Sequence, residues 1–116
     1  ISSFEVESAM MKQGALAEVV FHTVPAAQAG VEEDIKATAI LRPDAAITEL
    51  ALFEWARDNL PFFAVPRFIE FRDELPKTPT QKVQKNLLRE AGVTADTWDR
   101  EAAGIRIRRE RLAGTN

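Results

Sequence analysis

Three lysines fall within one short segment, Leu75-Pro76-Lys77-Thr78-Pro79-Thr80-Gln81-Lys82-Val83-Gln84-Lys85, which carries two prolines and two threonines. Proline fixes φ and removes a backbone donor, and threonine beside it favours turns, so this stretch is held out of regular structure. A loop pinned in this way can present a cation at a fixed distance from a docked partner. Lysine suits that role because its ammonium is a compact charge on a long stem with freely rotating donors. It can sit between two anionic oxygens as their charge grows. By residue type alone, a solvated lysine-bearing loop is the commoner outcome.

Other chemistry is thin. The chain has no cysteine, which excludes disulfides, thiolate metal sites and cysteine nucleophiles and fits a reducing cytoplasm. His22 is the one histidine, so no multi-histidine metal site can form within the chain. His22 lies in a predicted strand and reads as a half-buried β residue rather than a base. Glu32, Glu33 and Asp34 read as a solvated acidic loop without a calcium-loop pattern. Glu5 and Glu7 suit the N-terminal dipole of a helix. No metal site is expected.

The 116 residues suffice for one domain with a modest core. No apolar run approaches the ~20 residues needed to span a bilayer, and no secretory signal opens the chain. It begins Ile1-Ser2-Ser3-Phe4, with almost no lead-in before an amphipathic stretch, as expected of a piece of a longer protein. The net charge of −3 is uneven: after Gly104 four arginines face one glutamate, a local +3 that leaves −6 on the rest. That basic tail is short and has no aromatic interleaving for base stacking, so nucleic acid is not an expected partner. We divide the chain at this point, residues 1–104 forming the domain and 105–116 a solvated tail.

The elements that must carry the lysine segment follow from pattern. Ser2 or Ser3 caps a helix from Phe4, with Val6, Ala9 and Met10 at helical spacing and Gly14 as its stop. Leu16 to Val24 is β-branched-rich and reads as a strand, and Ile35 to Leu41 alternates as a second. Thr48 caps a helix that turns Leu52, Phe53, Trp55, Ala56 and Leu60 toward a core. Pro61 and Pro66 bracket a loop, and Phe68 to Phe71 is a short third strand. Val83 to Glu90 reads as a strand-to-helix piece ended by Gly92. Thr97 to Ala103 reads as a small helix, with Trp98 anchoring the C-terminal segment. The order predicts an α+β domain: a small, mostly antiparallel sheet packed with two to three helices. Spacing takes the reading no further.

The lysine segment resembles the last core motif of the adenylate-forming superfamily, which includes acyl-CoA synthetases, adenylation domains of peptide synthetases and luciferases. That motif runs Leu-Pro-(Lys/Arg)-Thr-x-x-Gly-Lys-(Ile/Val)-x-(Lys/Arg), followed by Leu-Arg. It is matched here by Leu75, Pro76, Lys77, Thr78, Lys82, Val83, Lys85 and then Leu88-Arg89. Two further stretches agree in order and interval. Ile1-Ser2-x-x-Glu5-Val6-Glu7 is similar to the end of the motif that opens the superfamily's C-terminal domain. Val65-Pro66-Arg67-x-Ile69-Glu70-Phe71 is similar to the strand before its lysine loop. The resemblance covers about residues 1 to 91. Gln81 stands where the motif has glycine, which narrows the backbone freedom beside the lysine. Ala64 stands where a lysine often precedes Val-Pro.

The resemblance implies the small C-terminal lid domain of an acyl-CoA synthetase, an acid–thiol ligase of the kind used in fatty acid metabolism. The family reaction is carboxylate plus ATP to acyl-adenylate and pyrophosphate, then attack by CoA to give thioester and AMP. Lys82 takes the position of the adenylation lysine. Arg57 and Arg67 could meet CoA phosphates, and Ile1, Ser2 and Ser3 would lie near the pantetheine tunnel after the domain rotates. ATP, Mg²⁺ and the acid would be held mainly by a large N-terminal domain, which this chain does not contain, so the chain alone is expected to be inactive. Three alternatives have the same fold: an adenylation domain loading a carrier protein, a luciferase-like oxidising enzyme, and a non-catalytic interaction module. The acid activated is not legible.

Overall fold

In the computed structural model, which describes residues 2–25 and 34–105, the first helix, α1 (Ser3–Met11), begins at a reciprocal cap. The Ser2 hydroxyl accepts from the Glu5 N–H at 3.2 Å, and the Ser2 N–H donates to the Glu5 carboxylate at 3.1 Å. Such a cap is worth about 1 kcal/mol. Val6 and Met10 are its buried residues, and Gly14 turns the chain at φ +96°. Strand β1 (Leu16–Val24) follows, then β2 (Asp34–Leu41). Helix α2 (Glu49–Asn59) starts where the Thr48 hydroxyl accepts from the Ala51 N–H at 3.1 Å. A short 3₁₀ turn (Phe62–Ala64) leads into β3 (Phe68–Phe71). Helix α3 (Lys85–Ala91) ends at Gly92, φ +60°, and β4 is the two-residue strand Trp98–Asp99.

The four strands form one sheet in the order β1-β2-β3-β4. The outer two ladders are antiparallel and the middle one is parallel, Lys36 facing Phe68 through Ala39 facing Phe71. The parallel pair arises because the chain crosses from β2 to β3 through α2, as parallel strands require. The expected α+β class and mostly antiparallel sheet hold.

Both faces of the sheet are covered. On one, Val6 and Met10 of α1 and Leu52, Phe53 and Ala56 of α2 pack against Phe21, Ala37, Ala39 and Ile69. The Trp98 ring lies 5.5 Å from that of Phe53 and anchors the C-terminal segment, as expected. Ile105 also packs against this core. Alternate residues point the other way: Val20 and Ile40 pack with Leu75, Val83 and Leu88 of α3 and the lysine segment.

This second layer and the sheet edge correct two expectations. His22 is buried, not half-buried. Lys36 is buried beside it and donates to the Glu70 carboxylate at 2.5 Å and the Gly92 carbonyl at 2.7 Å. Thr97 to Ala103 is not a helix: Trp98 and Asp99 pair with Ile69 and Phe68, and turns follow.

Candidate functional site

The lysine segment folds as a hairpin that packs on the second face through Leu75 and Val83. Lys77 bridges Val83, the Thr78 N–H donates to the Lys82 carbonyl at 2.8 Å, and the Gln84 N–H donates to the Pro76 carbonyl at 2.9 Å. The tip is a β-turn closed by the Gln81 N–H donating to the Thr78 carbonyl at 2.9 Å, with Pro79 at its second position, where proline is favoured. The last residue of the turn, Gln81, takes φ +70°. A turn followed by a residue in the left-handed region is a standard three-residue hairpin connection, and glycine fills that position at least cost. The resembled motif has glycine at this place, and the geometry supplies the reason. Gln81 adopts the conformation even so, at a cost of about 1 kcal/mol. The Thr78 hydroxyl stiffens the tip, accepting from the Lys82 N–H at 3.1 Å and lying 3.1 Å from the Thr80 hydroxyl.

The three lysines are treated differently. Lys77 pairs with both carboxylate oxygens of Glu18 on β1, at 2.9 and 3.0 Å. Lys85 pairs with Glu7 of α1 at 3.0 Å and donates to the Ser3 hydroxyl at 3.2 Å. Lys82 is exposed, and among the described residues its ammonium makes no ion pair. An ammonium offering its donors from a backbone closed by hydrogen bonds can meet negative charge on a docked partner with little reorganisation.

The other candidate residues lie apart from this hairpin. Arg67 is occupied: it donates to Asp34 at 2.9 Å and to both oxygens of Asp99 at 3.0 and 3.1 Å, and stacks 4.6 Å over the Phe68 ring. The Asp99 hydrogen bond above all holds its proton more tightly than usual. Burial would raise the Asp99 carboxyl, but Arg67 and backbone donors bring it below its ordinary value. Arg67 therefore staples β2 to the β4 turn in this structure. Arg57 is partly exposed on α2, 5.9 Å over the Phe53 ring and 3.5 Å from Asp58. Ser2 caps α1, and Ser3 lies at the lip of a shallow apolar hollow of about 230 Å³ that Val6, Phe21, Ile35 and Phe63 also line. Ile1, Glu32, Glu33 and the tail beyond Ile105 lie outside the described residues.

A polar network underlies the hairpin layer. Burial alone would raise the Glu70 carboxyl, but Lys36 beside it, with the Thr97 and Thr94 hydroxyls at 3.0 and 3.1 Å, holds it below the ordinary value. Burial pushes the His22 imidazole down, a direction that the positive charges of Lys36, Lys85 and Arg89 reinforce against the Thr23 carbonyl. That carbonyl can only accept, so Nδ1–H donates to it at 3.1 Å, and Nε2 of the neutral ring accepts from the Thr38 hydroxyl at 2.8 Å.

Glu7 and Glu18 were missed as partners of the hairpin. Glu7, read as serving the helix dipole, instead accepts the Phe21 N–H at 2.8 Å as well as the Lys85 ammonium. Nothing local marks either pair, since the partners lie 78 and 59 residues apart.

Comparison with known proteins identifies the family. Residues 5–82 match the model of the AMP-binding enzyme C-terminal domain. A peroxisomal trans-cinnamate:CoA ligase of Petunia hybrida is 35% identical over 99 residues, 85% of this chain and 17% of that enzyme. The crystal structure of an acyl-CoA synthetase from Brucella canis superposes with a TM-score of 0.68 at 40% identity, over 78% of this chain and 17% of that one. ATP-bound MatB from Rhodopseudomonas palustris superposes at 0.70 with 28% identity, over 78% of this chain and 18% of that one. The chain thus spans about a sixth of the length of the curated relatives it matches.

Proposed function

The chain belongs to the family of AMP-binding enzyme C-terminal domains, and from that premise we propose that it is the lid of an acyl-CoA synthetase that supplies Lys82 to the adenylation step. The observation that carries this reading is the unequal fate of the three lysines. Lys77 and Lys85 are committed to carboxylates of their own domain, and Lys82, at the motif's lysine position, is free of ion pairs among the described residues.

In the first half-reaction a carboxylate oxygen attacks the α-phosphorus of ATP and pyrophosphate leaves. Negative charge gathers on the carboxylate and α-phosphate oxygens, and Lys82 bridges them by position and electrostatics, with no proton transfer. In the second, CoA sulfur attacks the acyl carbon and AMP leaves. The lid has then rotated, Lys82 is withdrawn, and the α1 end bearing Ser2, Ser3 and the apolar hollow faces the pantetheine arm. Arg57, partly exposed, is the candidate for a CoA phosphate; Arg67 could serve only by giving up its carboxylates.

ATP, Mg²⁺ and the acid are held mainly by the enzyme's own N-terminal domain, and the chain by itself carries out neither step. Among the described residues no group of three or more His, Asp and Glu side chains could hold a metal ion, and no helix is long and apolar enough to cross a membrane. The cytoplasm is the proposed compartment, although two relatives are named as peroxisomal. CoA is preferred over a carrier protein as acceptor because several of the curated relatives are named as CoA ligases.

The test is to time the two half-reactions separately in the full-length enzyme. Lys82→Ala should slow adenylation on the order of 10²–10³-fold, the usual loss for one donor to developing charge, and leave thioester formation from supplied acyl-adenylate near wild type. Equal slowing of both steps, or a worse lesion from Lys77→Ala, would overturn the assignment.

A further inference from the structure

We propose that Glu7 and Glu18 are the positioning residues of Lys82, each clamping one leg of its hairpin. This inference rests on the adenylation role given to Lys82 above. The tip is held internally by its own hydrogen bonds, but a rigid tip is useful only if its legs are fixed to the body of the domain. Each leg has one ion pair to the body of the domain. Lys77, on the entering leg, is gripped by both oxygens of Glu18, and Lys85, where the leaving leg becomes α3, is held by Glu7. The clamps come from different elements, β1 and the opening turns of α1.

Glu7 is more than a surface partner. Its side chain is one-fifth exposed, and the oxygen that holds Lys85 also accepts the Phe21 N–H within β1. The carboxylate is thus fixed by the sheet before it fixes the lysine. Lys85 in turn donates to the Ser3 hydroxyl, so the hairpin is tied to the end of α1. Displacement of a reacting group by about 1 Å can cost 10²-fold in rate. Loss of both clamps, with the tip's internal bonds intact, should therefore show in catalysis more than in folding.

The experiment uses the full-length enzyme. Glu7→Gln and Glu18→Gln remove the charges while keeping an amide oxygen to accept the Phe21 N–H. The double variant should lose about ten-fold in the adenylation rate constant at saturating ATP and acid, with the KM for ATP, the thioester half-reaction and the melting temperature little changed. Reversing one clamp as Glu18→Lys with Lys77→Glu, in a background of Glu7→Gln, should recover most of the loss attributable to that clamp. A merely structural role predicts instead that both half-reactions fall together with Tm and that the reversal does not rescue. Lys82→Ala, measured alongside, separates the two readings. If it slows adenylation and the double variant does not, the clamp is wrong and the lysine assignment stands. If Lys82→Ala leaves adenylation unchanged, both fall.

Discussion

One face of the sheet is closed by α1 and α2 with apolar side chains: Val6, Met10, Leu52 and Phe53 meet Phe21, Ala37, Ala39 and Ile69. The other is closed by α3 and the lysine hairpin over a small apolar cluster and four buried polar residues, His22, Lys36, Thr38 and Glu70. The first face holds by area removed from water, at about 1.5–3 kcal/mol per large side chain. The second holds by a bonded network, and a network is asymmetric: nearly neutral when complete and costly when one member is lost. The apolar face can creep by small repacking. The polar face is the one on which the candidate catalytic lysine is mounted.

The sharpest way to break this contrast is to remove one member of the buried pair. Lys36→Met leaves Glu70 buried without its cation and should cost about 3–5 kcal/mol in urea denaturation, while Lys36→Met with Glu70→Gln returns most of that. Leu52→Ala on the apolar face should cost about 2–5 kcal/mol, with no single partner change able to rescue it. If Lys36→Met costs under ~1 kcal/mol, the polar face is not a network in this sense.

Acid should probe the same face next. Burial lowers His22 below 6.5, so the fold prefers the neutral ring. That preference contributes stability above pH 6.5, and the contribution is lost as pH falls through the folded value. Glu70 is also depressed, from 4.5, so its contribution is intact above pH 4.5 and fades only at lower pH. Melting temperature followed from pH 7 to 4 should therefore begin to drop below about 6.5, and His22→Gln should remove that early limb. An unchanged profile in the variant would place the acid response elsewhere.

The smallest effect belongs to the hairpin tip. Gln81→Gly relieves a left-handed glutamine but frees the unfolded chain, so stability should rise by no more than about 1 kcal/mol. Gln81→Val should fall by more than that, because a β-branched residue resists φ +70°. Equal stability in the two variants would mean that the tip relaxes away from this conformation.

Much of the apolar face was legible in sequence because its signals are local. β1 was bounded at Leu16 and Val24, and the Thr48 cap and the 3.6-residue spacing of Leu52, Phe53 and Ala56 located α2. The polar face was not. Lys36 and Glu70 read as ordinary strand residues until their pairing and the Gly92 carbonyl beyond α3 are known. Trp98 and Asp99 carry no strand signal of their own, since a two-residue strand exists only through its partners on β3. Of the site, motif order singled out Lys82, while the carboxylates that steady its neighbours are remote in sequence.

The closure of the hairpin within residues 77–83 has a consequence for how the molecule forms. A short hairpin of this kind closes in about 1–10 μs, because few residues must be ordered to make its first contact. The parallel pairing of β2 with β3 must wait until residues 42–67 have been looped back through α2, and such long closures dominate folding times. The tip that presents Lys82 is thus expected to be shaped early and repeatedly in the unfolded chain, long before the surface that receives it exists. Folding then has only to dock a turn already made.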